Sequence, residues 1–327
     1  MDPLSYRPRT LHLHIGIPKT ASTWLQTKVF TQLHHLRYLD CSQKKMFENN
    51  AELASEQQTL GSIFKLSSQI WDGFGDSIFE DLLGDRHEWL ADGRDLLISD
   101  ETIGRNGSRP ALFAAHFRKM KLKAIDWGFE QINIICLIRR QDHWLASHYA
   151  QMSDRNPVAG QADFERLVRE VTSPHLSRYS FGMLLDYYIL YNHLTEANGE
   201  DRVSILPYEV LKNYPAEFLQ VLLKKLDTPR ETIESICSET SGTMANVRSE
   251  QGVWHLRQRR SFLSRLPLLR QFFDRQKQSI ELKPDITRKI LDTYSAGNYK
   301  LAAKANLDLN HYGYFYCDPD FQSMKEE

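Results

Sequence analysis

The chain has 327 residues, long enough to bury a full core, with the apolar and charged fractions of an ordinary globular protein. A formal net charge of −1 gives no global field toward nucleic acid or an anionic membrane, so any anion must be held by a local site. Four cysteines, Cys41, Cys136, Cys237 and Cys317, are widely spaced with no CxxC pair, which argues against a disulfide framework or a zinc ribbon and for a reduced, cytoplasmic protein.

In chain order, Leu11 to Ile17 reads as a strand and about Ala21 to Leu33 as a helix. A short strand follows at Arg37 to Leu39. Text from Cys41 to about Leu90 is polar and helical, with breaks expected at Gly73 and Gly75. Asp95 to Asp100 (DLLISD) is an apolar strand, and Pro110 opens a helix reaching Lys123. Ile132 to Ile138 (INIICLI) is a continuous β-branched run, read as the central parallel strand, buried on both faces. Helices are expected over Asp142–Met152 and Tyr179–Ala197, a strand over Arg202–Leu206, and a helix from Tyr208 toward Leu226. From Thr228 to Asn306 the text is helical. Strands alternating with helices predict a parallel sheet covered on both faces. The opening decapeptide lacks the apolar stretch of a signal peptide, and no run approaches the ~20 apolar residues of a membrane helix.

Between the first strand and its helix lies Gly16-Ile17-Pro18-Lys19-Thr20-Ala21-Ser22-Thr23-Trp24. A strand end, one lysine and hydroxyl residues opening a helix make an anion site, because free N–H groups and the positive dipole end converge there. It is not a Walker A loop: no glycine precedes Lys19, and Pro18 removes a donor. A second anion site follows INIICLI, in Arg139-Arg140-Gln141-Asp142-His143-Trp144-Leu145-Ala146-Ser147. An arginine at the carboxyl end of a parallel strand points into the crevice where open α/β sheets bind ligands, and its fork suits a phosphate. Arg139 and Arg140 compete for that role. Asp100 and Glu101 end the DLLISDE strand on the same sheet edge.

These segments resemble the PAPS-dependent sulfotransferases. Residues 17–24 are similar to the family's 5′-phosphosulfate loop, YPKSGTTW, with Lys19, Thr23 and Trp24 matching. Thr20 stands for serine, Ser22 for threonine and Ala21 for glycine, a mild departure if the backbone at Ala21 is helical. Arg139 and Ser147, eight residues apart, resemble the 3′-phosphate motif, and that spacing favours Arg139 over Arg140. Leu206-Pro207-Tyr208-Glu209-Val210-Leu211 and Leu307 to Phe315 are similar to later family segments.

The resemblance implies a P-loop NTPase-like three-layer α/β fold, with a central parallel sheet flanked by helices and a helical C-terminal region. It implies one sulfotransferase domain over 1–327, with its core at 9–228 and residues 229–327 packed on it. PAPS is the implied donor, PAP the product, and no metal is required. Lys19 is the implied electrostatic catalyst; Thr20, Ala21, Ser22, Thr23 and Trp24 line the donor site. Arg248 is a further candidate at the 3′-phosphate.

For the base, the phenol and steroid enzymes use a histidine in a KTH strand that is absent here, which points to the glutamate branch and to Glu101, with Asp100 the alternative. That branch, with Trp71 and Trp89 between the motifs, favours a carbohydrate or glycoconjugate acceptor. His12 and His14 share a strand face and read as core residues, His14 being the better candidate for substrate contact. No histidine or cysteine cluster has metal-ligand spacing. The basic, amphipathic stretch Trp254 to Gln278 reads as a helix packed on the core, with a lid over an anionic glycan or peripheral membrane contact as sharper readings. Two rival functions remain, a P-loop phosphotransferase with DLLISDE as a Walker B strand and a non-catalytic nucleotide binder.

Overall fold

Five segments form one parallel sheet: β1 (Thr10–Gly16), β2 (Leu36–Asp40), β3 (Asp95–Ser99), β4 (Gln131–Ile138) and β5 (Val203–Pro207). The computed structural model describes residues 8–41, 45–46, 58–173, 185–240, 249–250, 252–257 and 278–316. Strand order is β2-β3-β1-β4-β5, with every neighbouring pair parallel. The centre is therefore β1, every residue of which is buried, and not β4 as its β-branched text suggests.

Helices α1 (Ile70–Leu83), α2 (Arg86–Asp92), α3 (Pro110–Asp126), α4 (Gln141–Met152), α5 (Gln161–Val171), α6 (Tyr187–Asn198), α7 (Tyr208–Asn213), α8 (Pro215–Lys225), α9 (Arg230–Thr240) and α10 (Pro284–Ala305) supply most of the rest. Contacts group the chain into two compact units, Met1–Ile138 with Asp186–Met244, and Arg139–Leu185 with Ala245–Glu327.

In the first unit the sheet is covered on both faces, giving a three-layer α/β architecture. Register pairs His12 with Leu97 and His14 with Ile135, so both histidines share a face with these residues. On that face pack Leu25, Val29 and Phe30 from the segment after β1, together with Phe218, Leu222, Ile233 and Ile236 from α8 and α9. Helices α3 and α6 pack on each other on the opposite side, α6 reaching β4 and β5.

Three elements depart from expectation. Gly73 and Gly75 do not break α1; a Cβ at Gly75 would lie 2.6 Å from Lys123 Cγ, so glycine there lets α3 approach. The run after Tyr208 is two helices, because Pro215 has no N–H to continue α7 and opens α8 as its first residue. The C-terminal text is not all helical. In the second unit, β6 (Ser249–Glu250), β7 (Val253–His255) and β8 (Ser279–Glu281) form an antiparallel sheet of order β8-β7-β6.

Within that unit α4 packs on α10. The buried Gln141 amide donates to Asn298 Oδ1 at 2.7 Å, and Asn298 Nδ2 donates to the Tyr314 carbonyl at 2.9 Å. The basic stretch begins in β7 with buried Trp254, and its residues 258–277 lie outside the described residues.

Candidate active site

The turn leaving β1 is built from left-handed backbone. Gly16, Lys19 and Ala21 have φ of 72°, 74° and 67°. The Ile17 amide donates to the Leu137 carbonyl of β4 at 2.8 Å, anchoring the turn to the sheet. Buried Thr20 donates its hydroxyl to the Ile17 carbonyl at 2.5 Å, so this proton closes the loop. The amides of Trp24 and Leu25 donate to the Ala21 carbonyl and start the helical run, one α turn over Ser22–Trp24 that widens to a π turn at Leu25–Val29.

Left-handed residues alternating with others are the conformation in which consecutive N–H groups line an anion-sized concavity. The expectation of helical backbone at Ala21 is overturned. It stands in the left-handed region that glycine occupies freely, at a cost of about 1–2 kcal/mol for an alanine. Lys19 carries the same strain. Such strain persists where the surroundings over-determine it.

Polar atoms of the turn are left unmatched. Among the described residues, Ser22 Oγ and Trp24 Nε1 are buried without a hydrogen-bond partner. An unpaired buried donor costs about 1–3 kcal/mol, so this arrangement suits a ligand that completes it. Thr23 is exposed, and Trp24 lays its ring against the apolar cluster containing Leu25 and Leu36.

The two acids after β3 have different surroundings. Asp100 is fully buried: it accepts from the Thr102 amide at 2.8 Å, the Thr102 hydroxyl at 2.6 Å and the Gly61 amide at 3.0 Å. Burial raises its pKa against the pull of these hydrogen bonds. It is the N-cap of the Glu101–Gly104 turn.

Glu101 is half-buried, at the first position of that turn, against β1. A Cβ added to Gly16 would lie 2.9 Å from Glu101 Cβ, and one added to Gly104 would lie 2.4 Å from the Ile15 carbonyl oxygen. Two glycines thus let the acid turn close onto the lysine turn. Asn106 Nδ2 donates to the Gly61 carbonyl at 2.9 Å and completes the lock. Asp100-x-Thr102 is a capping pattern visible in the sequence; the partners Gly61 and Asn106 carry no sequence signal.

His12 and His14 are fully buried. His14 Nδ1 lies 2.7 Å from Ser99 Oγ, which also accepts from Gln26 Nε2 at 3.0 Å, and the ring meets Phe30 edge-on. Burial pushes the His14 imidazole down to about 3, so it stays neutral near pH 7 and serves the core rather than an exposed substrate surface.

In the second unit, the segment after β4 separates the paired arginines. Arg140 donates Nε and Nη2 to the two carboxylate oxygens of Asp142, both at 2.8 Å, with Nη2 2.9 Å from His143 Nε2. Asp142 is fully buried. Burial opposes its charge, but the Arg140 hydrogen bond and the nearby positive groups hold its carboxyl below the usual range. Arg140 is thus engaged in an ion pair within its own segment. Arg139 is half-buried at the start of the segment, and Ser147 is buried on α4.

Other sequence candidates have moved. Trp71 and Trp89 are sealed in the core, the first donating to His116 Nδ1 at 2.9 Å and the second to the Trp127 carbonyl at 3.1 Å, which removes them as support for a carbohydrate acceptor. His116 has both nitrogens engaged, its Nε2 with the Leu66 carbonyl at 3.0 Å. Arg248 lies outside the described residues. Among the described residues no helix is long and apolar enough to cross a membrane.

No family model and no curated protein sequence matches this chain. Solved structures do. The sulfotransferase from Alicyclobacillus acidocaldarius is similar over 94% of this chain and 99% of that one, at 10% identity and a TM-score of 0.51. Mouse sulfotransferase SULT7A1 complexed with PAP aligns over 94% of this chain and 89% of that one, at 13% identity and a TM-score of 0.45. The sulfotransferase domain of the Synechococcus PCC 7002 olefin synthase aligns over 71% and 78%, at 14% identity and a TM-score of 0.40. The full-length likeness to the Alicyclobacillus enzyme shows that this chain has the sulfotransferase fold.

Proposed function

We propose that the protein is a PAPS-dependent sulfotransferase that moves a sulfuryl group to an acceptor hydroxyl or amine. The observation that carries this reading is the β1 turn. It combines two strained left-handed residues and a buried unmatched Ser22 hydroxyl with Lys19, and it has Glu101 packed on Gly16. Sulfuryl transfer has a loose, charge-dispersed transition state, so positioned charge does most of the work.

In this reading the amides and hydroxyls of residues 20–23 hold the 5′-phosphate. Lys19 stabilises negative charge building on the leaving oxygen. Glu101 accepts the proton of the attacking hydroxyl or amine, while Asp100 holds the turn in place. Arg139 and Ser147 take the 3′-phosphate. Trp24 supports the nucleotide from the core side, and Arg248 is a further candidate at the 3′-phosphate. A carbohydrate or glycoconjugate acceptor now rests on the glutamate base alone, and cytoplasmic residence on the thiol content.

The test is transfer of labelled sulfuryl from PAPS across a panel of sugars, phenols and amines. Turnover without added Mg²⁺ is expected. Phosphoryl transfer from ATP that needs Mg²⁺, with no sulfuryl transfer, overturns the reading in favour of a phosphotransferase. Nucleotide binding without turnover on any acceptor favours a non-catalytic binder.

A further inference from the structure

We propose that His12, Asp95 and Asp227 form a divalent metal site, with zinc the best-fitting ion, toward the amino-terminal edge of the parallel sheet. Their donor atoms all lie within 4.8 Å of one another, although the residues are far apart in sequence. This inference is independent of the sulfuryl-transfer reading. The strand exits used there are at the opposite, carboxyl edge of the sheet.

Three elements supply the donors. His12 is fully buried on β1, on the face covered by α8 and α9. Asp95 opens β3, is 8% exposed, and is oriented by the Thr10 amide, which donates to its Oδ1 at 2.9 Å. Asp227 follows α8 and is exposed, which gives an ion a path from solvent. Its backbone is left-handed, with φ of 50°, at a helix end where glycine is the usual residue.

A buried hydroxyl points the same way. Independently, Thr228, the residue after Asp227, is 8% exposed and buries a hydroxyl with no hydrogen-bond partner among the described residues. A metal-bound water is a suitable partner for it.

One imidazole nitrogen with two carboxylate oxygens is a borderline donor set that favours zinc over magnesium, which demands an octahedron of oxygens. Tetrahedral zinc with bonds near 2.0–2.2 Å places its donors about 3.3 Å apart, so loading draws the triad in, with exposed Asp227 moving most. The fourth position takes water. The ion would tie the end of α8 to the starts of β1 and β3, a structural rather than catalytic role.

The test uses the full chain, dialysed free of metal, with ZnCl2 added during thermal denaturation and calorimetry. One zinc per chain and a Tm rise of about 4 °C at a hundredfold excess over Kd are expected, with MgCl2 giving a smaller shift. Asp227→Asn keeps a residue that tolerates left-handed backbone and should lose the shift. Asp95→Asn, which retains the Thr10 hydrogen bond, should weaken zinc binding at least tenfold. If either variant has an altered Tm without metal, the calorimetric stoichiometry decides. No zinc uptake by the parent, or the same stoichiometry and affinity in Asp227→Asn, overturns the proposal.

Discussion

At the exit of β1 the chain makes its anion-type turn from backbone, whereas at the exit of β4 it works with side chains. The first places Lys19 and Ala21 in left-handed conformations and buries an unmatched serine hydroxyl. The second buries Asp142 and neutralises it with the fork of Arg140, next to Arg139. Backbone donors are fixed before any ligand arrives, and their cost appears as torsional strain. Side-chain donors keep unstrained backbone, and their cost appears as desolvated charge. The acids after β3 divide in the same way, Asp100 holding backbone amides and Glu101 keeping a partly exposed carboxylate beside the β1 turn.

The largest expected effect separates those two acids. Glu101→Gln should lower sulfuryl turnover by roughly 10²–10⁴ with unchanged thermal stability, if the carboxylate is the base. Turnover within threefold of the parent would remove it from that role.

Next, Arg140→Ala should destabilise the fold by about 2–4 kcal/mol in chemical denaturation, because it strands the buried Asp142 carboxylate. Arg140→Lys should recover only part of this, since an ammonium cannot replace two parallel hydrogen bonds. A neutral Arg140→Ala would mean that the pair contributes nothing and that the β4 exit is held otherwise.

The smallest effect concerns the backbone exit. Ala21→Gly relieves left-handed strain but frees the unfolded chain, so a net gain of about 0.5–1 kcal/mol is expected from denaturation midpoints. A loss would indicate that the turn is not strained as described.

Much of this was legible in the chain. All five parallel strands, the β1 turn and the arginine pair follow from apolar runs ended by glycine, proline and charge. The sequence also led to Asp100 or Glu101 as alternatives, and the structure separates them through the Gly61 amide, a partner 39 positions away.

What sequence reading misses is set by tertiary contact. Gly75 sits within a helix because Lys123 crosses it, and Ala21 is left-handed in a turn that is anchored to Leu137 through Ile17. The strands β6 to β8 have two or three residues each, too few for an alternating pattern to register. Trp71 and Trp89 read as polar-region aromatics, yet core packing claims both. His12, Asp95 and Asp227 come from three separate elements, and no spacing rule joins them.

Isothermal titration of the protein with adenosine 3′,5′-bisphosphate and with AMP tests the central claim most directly. The account predicts at least tenfold tighter binding of the bisphosphate, an advantage abolished by Arg139→Ala, because a guanidinium–phosphate pair contributes about 1.5–3 kcal/mol. Equal affinity for the two nucleotides would contradict it.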